Sequence, residues 1–114
     1  MNDVGNSQGN RELVLENDGY YFELKPSRNN RVKLKFGSER KTKKVELDVD
    51  SLRKIIKLIS ISKGTNRSFS FVAGNSLRVT IKPDGVIISD LQGKVSVFLR
   101  YSDVENIEEY FKLN

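Results

Sequence analysis

Residues 29–60 read NNRVKLKFGSERKTKKVELDVDSLRKIIKLIS, and the spacing of apolar residues changes once within them. From Arg31 to Phe36 the chain alternates. Arg31, Lys33 and Lys35 fall on one side of an extended backbone, and Val32, Leu34 and Phe36 on the other. After a basic loop, Val45, Leu47 and Val49 alternate with Glu46 and Asp48 in the same way. Beyond Asp50 the apolar residues Leu52, Ile55, Ile56 and Ile59 recur at helical spacing, with Asp50 or Ser51 placed to cap the helix. Period-two strands running into one amphipathic helix imply an antiparallel sheet with one face covered and the other in water.

Working outward, the same chemistry recurs on both sides. Upstream, RELVLEN (11–17) and YYFELKP (20–26) read as strands joined at Asn17, Asp18 and Gly19, an Asp-Gly signal for a tight hairpin. The polar SRNN (27–30) joins the second strand to the third. Downstream of a break at SKGTN (62–66), RSFSFVA (67–73), LRVTIKP (77–83), VIIS (86–89) and KVSVFLRY (94–101) read as four more strands. Gly74 with Asn75, Asp84 with Gly85, and Gln92 with Gly93 mark the turns between them. A second helix follows in SDVENIEEYFKL (102–113), with Ser102 and Glu105 spaced as a capping box and Val104, Ile107 and Phe111 as its apolar stripe. The order is four strands and a helix, twice. ELKP (23–26) stands 57 residues before TIKP (80–83), and VELDVDSL (45–52) corresponds to VFLRYSDV (97–104). The expectation is an α+β protein of two ββββα repeats, 11–61 and 67–114, forming a single domain behind a disordered tail, 1–10.

Composition narrows the chemistry. The chain of 114 residues contains neither Cys nor His, so it has no disulfide framework, no thiolate or imidazole metal ligand and no imidazole base. The Glu108–Glu109 neighbours sit on a helix face expected to be solvated. No catalytic residue, metal or cofactor is expected, and the chain is not read as an enzyme. No apolar run is long enough to span a bilayer, the N-terminus has no signal-like apolar stretch, and no basic amphipathic helix is suited to a membrane surface. The absence of Cys suits a cytoplasmic location, or one with the nucleoid or nucleus if the ligand lies there.

The net charge of +5 is unevenly spread, because Lys25–Lys44 holds nine Lys or Arg and one Glu. The strand pattern assigns Tyr21, Lys25, Arg31, Lys33, Lys35, Lys44, Arg78, Lys82, Lys94, Phe98 and Arg100 to the solvent side of the sheets. Cations that follow a phosphate backbone, with rings that stack on unpaired bases, are what single-stranded nucleic acid requires of a protein. Exposed Lys and Arg also serve solubility and edge protection, and the two rings could be packing residues. The outward charges expected on the helices are Arg53, Lys54 and Lys57 on the first and Asp103, Glu105, Glu108 and Glu109 on the second.

YYFELKPSRNNRVKLKF followed by KVELDVDSLRKIIKLI resembles the PUR repeat of the purine-rich-element-binding family. That repeat has an aromatic–aromatic–apolar–acidic–apolar–Lys strand, a polar turn and an apolar–basic–apolar strand, then an apolar strand entering an amphipathic helix. Tyr20 to Lys25 match its first element and Leu34, Lys35 and Phe36 its third, while the second half matches in order and at IKP. The resemblance implies two interlocked ββββα units, similar to Whirly proteins, that bind single-stranded DNA or RNA on their sheets and form homodimers. Carried over by position, Lys25 and Lys35 lie on the nucleic-acid face beside Tyr21. The turn after Pro26 has an extra residue, and SLRVTI lacks the aromatic pair, so a preference for purines does not carry over. The expected site is therefore Tyr21, Lys25, Arg31, Lys33, Lys35, Lys44, Arg78, Lys82, Phe98 and Arg100. The rival expectation is a protein-interaction or assembly module that does not bind nucleic acid.

Overall fold

The computed structural model describes residues 12–63 and 67–113, so the expected tail and part of the SKGTN break lie outside the described residues. The chain runs β1 (Leu13–Asn17), β2 (Tyr20–Pro26), β3 (Arg31–Ser38), β4 (Thr42–Asp48) and α1 (Val49–Ser62). It then repeats the order as β5 (Phe69–Ala73), β6 (Leu77–Lys82), β7 (Gly85–Asp90), β8 (Ser96–Arg100) and α2 (Tyr101–Leu113). Each set of four strands is an antiparallel meander in which only sequence neighbours pair. This is the expected α+β class, with two four-stranded sheets each followed by a helix.

Ladder register explains why alternation in the sequence becomes a face. In the first sheet Phe22 lies opposite Phe36 and Leu24 opposite Leu34, which in turn faces Val45. In the second, Val79 lies opposite Ile88 and Ile81 opposite Val86, and β8 adds Val97 and Leu99. All of these except half-buried Val45 are nearly or fully buried, and they form one core with Leu52, Ile55, Ile56 and Ile59 of α1 and Val104, Ile107 and Tyr110 of α2. Burying side chains of this size contributes about 1.5–3 kcal/mol each, so the inner rows and helix stripes hold the fold. The two units share this core, with β8 lying against β2 and β3. The helices also meet: Ser60 Oγ donates to Glu108 Oε2 at 2.9 Å, and the Arg53 guanidinium lies 5.4 Å from the Phe111 ring centre.

The turns divide into two kinds. Asp18 and Gly19 both take positive φ, 50° and 85°, as the Asp-Gly hairpin requires. Gly85 does not: it is the first residue of β7, and space is what it supplies. A Cβ there would lie 2.5 Å from Phe98 Cζ and 2.5 Å from the Leu99 carbonyl oxygen. The Phe98 ring thus occupies the volume above Gly85 where a side chain would stand.

Two helix expectations are corrected. The first helix begins at Val49 with Asp48 at its cap position, not Asp50 or Ser51, and Ser51 Oγ reaches Asp48 Oδ2 at 3.4 Å. The second begins at Tyr101, before the expected Ser102–Glu105 box. Its N-terminal turn is held by Asp103, whose Oδ2 accepts the Arg100 backbone N–H at 3.0 Å. Asp103 is not an outward helix charge as the pattern implied. It is 7% exposed and also accepts Asn17 Nδ2 at 3.2 Å, tying the β1–β2 hairpin to α2. Glu108, likewise expected outward, is half-buried against Ser60, whereas Glu109 pairs with Lys112, so the two do not act as a pair.

Candidate nucleic-acid interface

Register places every expected site residue on the solvent side of a sheet and divides them between two faces. On the first, Val14, Glu23, Lys35 and Lys44 form one row across β1–β4, and Glu16, Tyr21, Gly37 and Thr42 form the next. Lys25, Lys33 and Glu46 form a third, and Arg31 faces Asp48 in a fourth. On the second face the rows are Ser70, Thr80, Ile87 and Phe98, then Val72, Arg78, Ser89 and Ser96, then Lys82, Gly85 and Arg100.

The first face is not a basic floor. Lys25, Arg31, Lys33, Lys35 and Lys44 share it with Glu16, Glu23, Glu46 and Asp48, and Glu12 reaches in from the residue before β1, so five cations meet five carboxylates. Arg31 Nε lies 2.8 Å from Glu46 Oε2 and Arg31 Nη1 3.4 Å from Asp48 Oδ1. Lys25 Nζ lies 3.7 Å from Glu12 and 3.8 Å from Glu23. A shallow hollow of about 410 Å³ opens on this face between Lys25, Lys33, Lys35 and Lys44, with Glu23 and Glu46 in its wall. Tyr21 stands beside it with the Lys35 ammonium 5.6 Å from its ring centre. Burial, then the charge and hydrogen bond of Glu23, then Glu16 and Glu12, push the Tyr21 hydroxyl above its usual value. A strand stacked on Tyr21 would carry its phosphates past those three carboxylates, which repel them.

The second face has the opposite balance. Arg78, Lys82 and Arg100 are its charged residues, and the outward positions of β5–β8 hold no carboxylate. None of the three cations has an ion-pair partner among the described residues. Phe98 and Ile87 lie opposite one another at the centre, both half-buried, with Gly85 leaving room for the ring. Asp84 lies in the turn beyond the Lys82 row. Its charge acts on Tyr101, whose hydroxyl is pushed up first by burial and then by Asp84. That hydroxyl donates to the Lys82 carbonyl, which anchors the end of β6 to α2. Lys94, also expected on the sheet surface, precedes β8 in its connecting loop. The basic loop residues Arg28, Arg40 and Lys41 are exposed between strands.

Sequence reading missed two groups that shape the site. The carboxylates of β1, β2, β4 and the residue before β1 were not set against the first basic row, and Gly85 was read as a turn residue rather than the seat of Phe98. Only cross-strand register shows either. No helix among the described residues is long and apolar enough to cross a membrane. No family model, curated protein or solved structure matches the chain.

Proposed function

We propose that this protein binds single-stranded nucleic acid, and that the outer face of the second sheet is its principal contact surface. One observation carries the reading: Arg78, Lys82 and Arg100 surround Phe98 and Ile87 on a face whose outward strand positions hold no carboxylate. Cations without partners are free to replace the counterions of a phosphate chain. A ring at the centre of the face can stack on a base whatever its identity. Binding of this kind is electrostatic, tolerant of sequence and selective for unpaired strands. The first face contributes less, because a phosphate there must displace Glu46, Asp48, Glu12 or Glu23 from an existing pair.

The resemblance to the PUR repeat supports the same ligand class from a different side, through the strand motifs of the first unit. The experiment is fluorescence anisotropy with labelled single-stranded DNA, single-stranded RNA and duplex DNA, using the wild type, R78E/R100E and K33E/K35E. The expected result is saturable single-strand binding that R78E/R100E abolishes and K33E/K35E weakens only several-fold. If K33E/K35E alone abolishes it, the first face is the site. If no ligand gives saturable binding, the proposal fails and the basic face is open to an acidic protein surface.

A further inference from the structure

Ser89 lies on β7, an inner strand of the second sheet, and the ladder sets it between Arg78 of β6 and Ser96 of β8. Val86 and Ile88 turn into the core, so Ile87 and Ser89 stand on the outer face. Ser89 is nonetheless only 6% exposed, and no hydrogen bond among the described residues involves its hydroxyl. The buried carboxylates differ in this respect: Asp90 accepts the Val95 N–H, and Asp103 accepts the Arg100 N–H. Burying a hydroxyl without a partner costs stability, so such a group in a folded chain calls for an explanation. Its neighbours across the strands supply one. Arg78 has no ion-pair partner among the described residues, and no hydrogen bond there involves Ser96 Oγ. The row thus sets a guanidinium and two hydroxyls side by side, all able to donate. The first sheet has nothing equivalent. Tyr21 precedes Lys25 by the same interval as Arg78 precedes Lys82, and its row of Glu16, Gly37 and Thr42 offers a carboxylate and no cation.

From this we infer that Arg78, Ser89 and Ser96 form a site for one phosphate group, with Ser89 as its fixed donor. Adjacent strands lie about 4.8 Å apart, so the two hydroxyls can each donate to a different oxygen of one phosphate while the guanidinium supplies the opposing charge. Donors spread over three strands suit a tetrahedral group with several oxygens better than a planar carboxylate with two. The row adjoins that of Phe98 and Ile87, two residues or about 6.7 Å along the strands. A base stacked on Phe98 therefore has a phosphate of its own strand within reach of the site. A long cation holds a phosphate loosely, whereas a short hydroxyl on an inner strand fixes where that phosphate lies relative to the ring. That the phosphate belongs to a nucleic-acid strand rests on the proposed function; the site itself does not.

The test is fluorescence anisotropy with a labelled single-stranded oligonucleotide across a range of salt concentrations, for the wild type, S89A, S70A and R78Q, with urea unfolding of S89A alongside. S89A should weaken binding about tenfold and leave the salt slope unchanged, because a neutral hydroxyl displaces no counterion. R78Q should weaken binding and flatten the slope by about 0.7. S70A, exposed on the same face but outside the row, should bind as the wild type does. The urea midpoint of S89A should equal or exceed that of the wild type, since the substitution removes an unpaired buried hydroxyl. An S89A chain that binds like the wild type overturns the site and leaves the functional proposal standing, as does an equal loss in S70A. A lower urea midpoint for S89A also overturns it, by giving the hydroxyl a role in the fold. If no strand binds, the functional proposal fails and pyrophosphate decides the site. Saturable amide shifts at Arg78, Ser89 and Ser96 in isotope-labelled protein, lost in S89A, uphold it, and their absence overturns it.

Discussion

The division of charge between the two faces can be weighed by salt. For single-stranded nucleic acid, the logarithm of the association constant falls with the logarithm of salt concentration at a slope of about −0.7 for each phosphate neutralised. If Arg78, Lys82 and Arg100 make the contacts, the slope is about −2.1, and raising salt fourfold weakens binding about twentyfold. If the five cations of the first face joined them, the slope would approach about −5.6, and the same change would cost about two-thousandfold. R100Q should reduce the slope to about −1.4, because Arg100 has no ion-pair partner among the described residues to release. The measurement is anisotropy with an oligonucleotide long enough to cover one sheet, titrated at four salt concentrations. A slope near −5.6, or one that R100Q leaves unchanged, refutes the assignment to the second face.

Three further predictions concern the scaffold. G85A forces a Cβ to within 2.5 Å of both Phe98 and the Leu99 carbonyl, and overpacking of this kind should cost about 1–3 kcal/mol in urea unfolding. D103A leaves Asn17 and the Arg100 N–H without their acceptor and should cost about 1–3 kcal/mol; equal urea midpoints for D103A and wild type would show that water replaces the carboxylate freely. Asp90 Oδ1 accepts the Val95 N–H at 3.1 Å, and this bond, opposed by burial and assisted by the Lys94 and Gly93 amides and the Lys43 charge, holds its carboxyl below the usual carboxylate range. A lowered value stabilises the fold above the unfolded pKa, and that contribution disappears as pH falls through the folded one. D90N should therefore lose less stability than the wild type on acidification from about pH 5 to pH 3; parallel losses would reassign the acid sensitivity to other carboxylates.

The sequence made the layers legible but not the electrostatics of the faces. Period-two alternation identified most of the strands, because an inward row such as Val32, Leu34 and Phe36 has to be apolar for the sheet to bury it, and turn signals marked out the short VIIS strand. The helices were legible for the same reason at a different period. The basic run from Lys25 to Lys44, by contrast, suggested a surface that folding dismantles. Arg28, Arg40 and Lys41 go to loops, and the lysines left on the face meet Glu12, Glu16, Glu46 and Asp48, which lie outside the run in sequence. Charge along a strand is a one-dimensional quantity, whereas a phosphate meets its two-dimensional neighbourhood, which register sets. The same limit hid Asp103, whose Asn17 partner lies 86 residues away in sequence. Phe98 was legible as a solvent-side ring, but its seat over Gly85 was not, because the two belong to different strands.

The two units, compared row by row through their ladders, show where the difference arises. Lys25 of the first corresponds to Lys82 of the second, since each stands before the proline of ELKP or TIKP, and their ladder partners are Lys33 and Gly85 respectively. Continuing across those rows, Glu46 corresponds to Arg100, Glu23 to Thr80 and Glu16 to Val72. Lys35 corresponds to Ile87 and Lys44 to Phe98, and the Arg31–Asp48 row has no counterpart because β7 is two residues shorter than β3. The second face therefore does not gain its character by adding cations. It has fewer than the first, but every carboxylate position of the shared rows is neutral or basic, and two lysine positions have become the apolar centre. On the first sheet the alternating charges hold the strands in register with exposed pairs worth up to about 1 kcal/mol each. On the second, that role falls to the Phe98–Ile87 pair and the buried inner rows, and Arg78, Lys82 and Arg100 have no ion-pair partner among the described residues. Positive charge serving solubility alone would not require the outward strand positions of the second sheet to lack the acids that the first sheet holds.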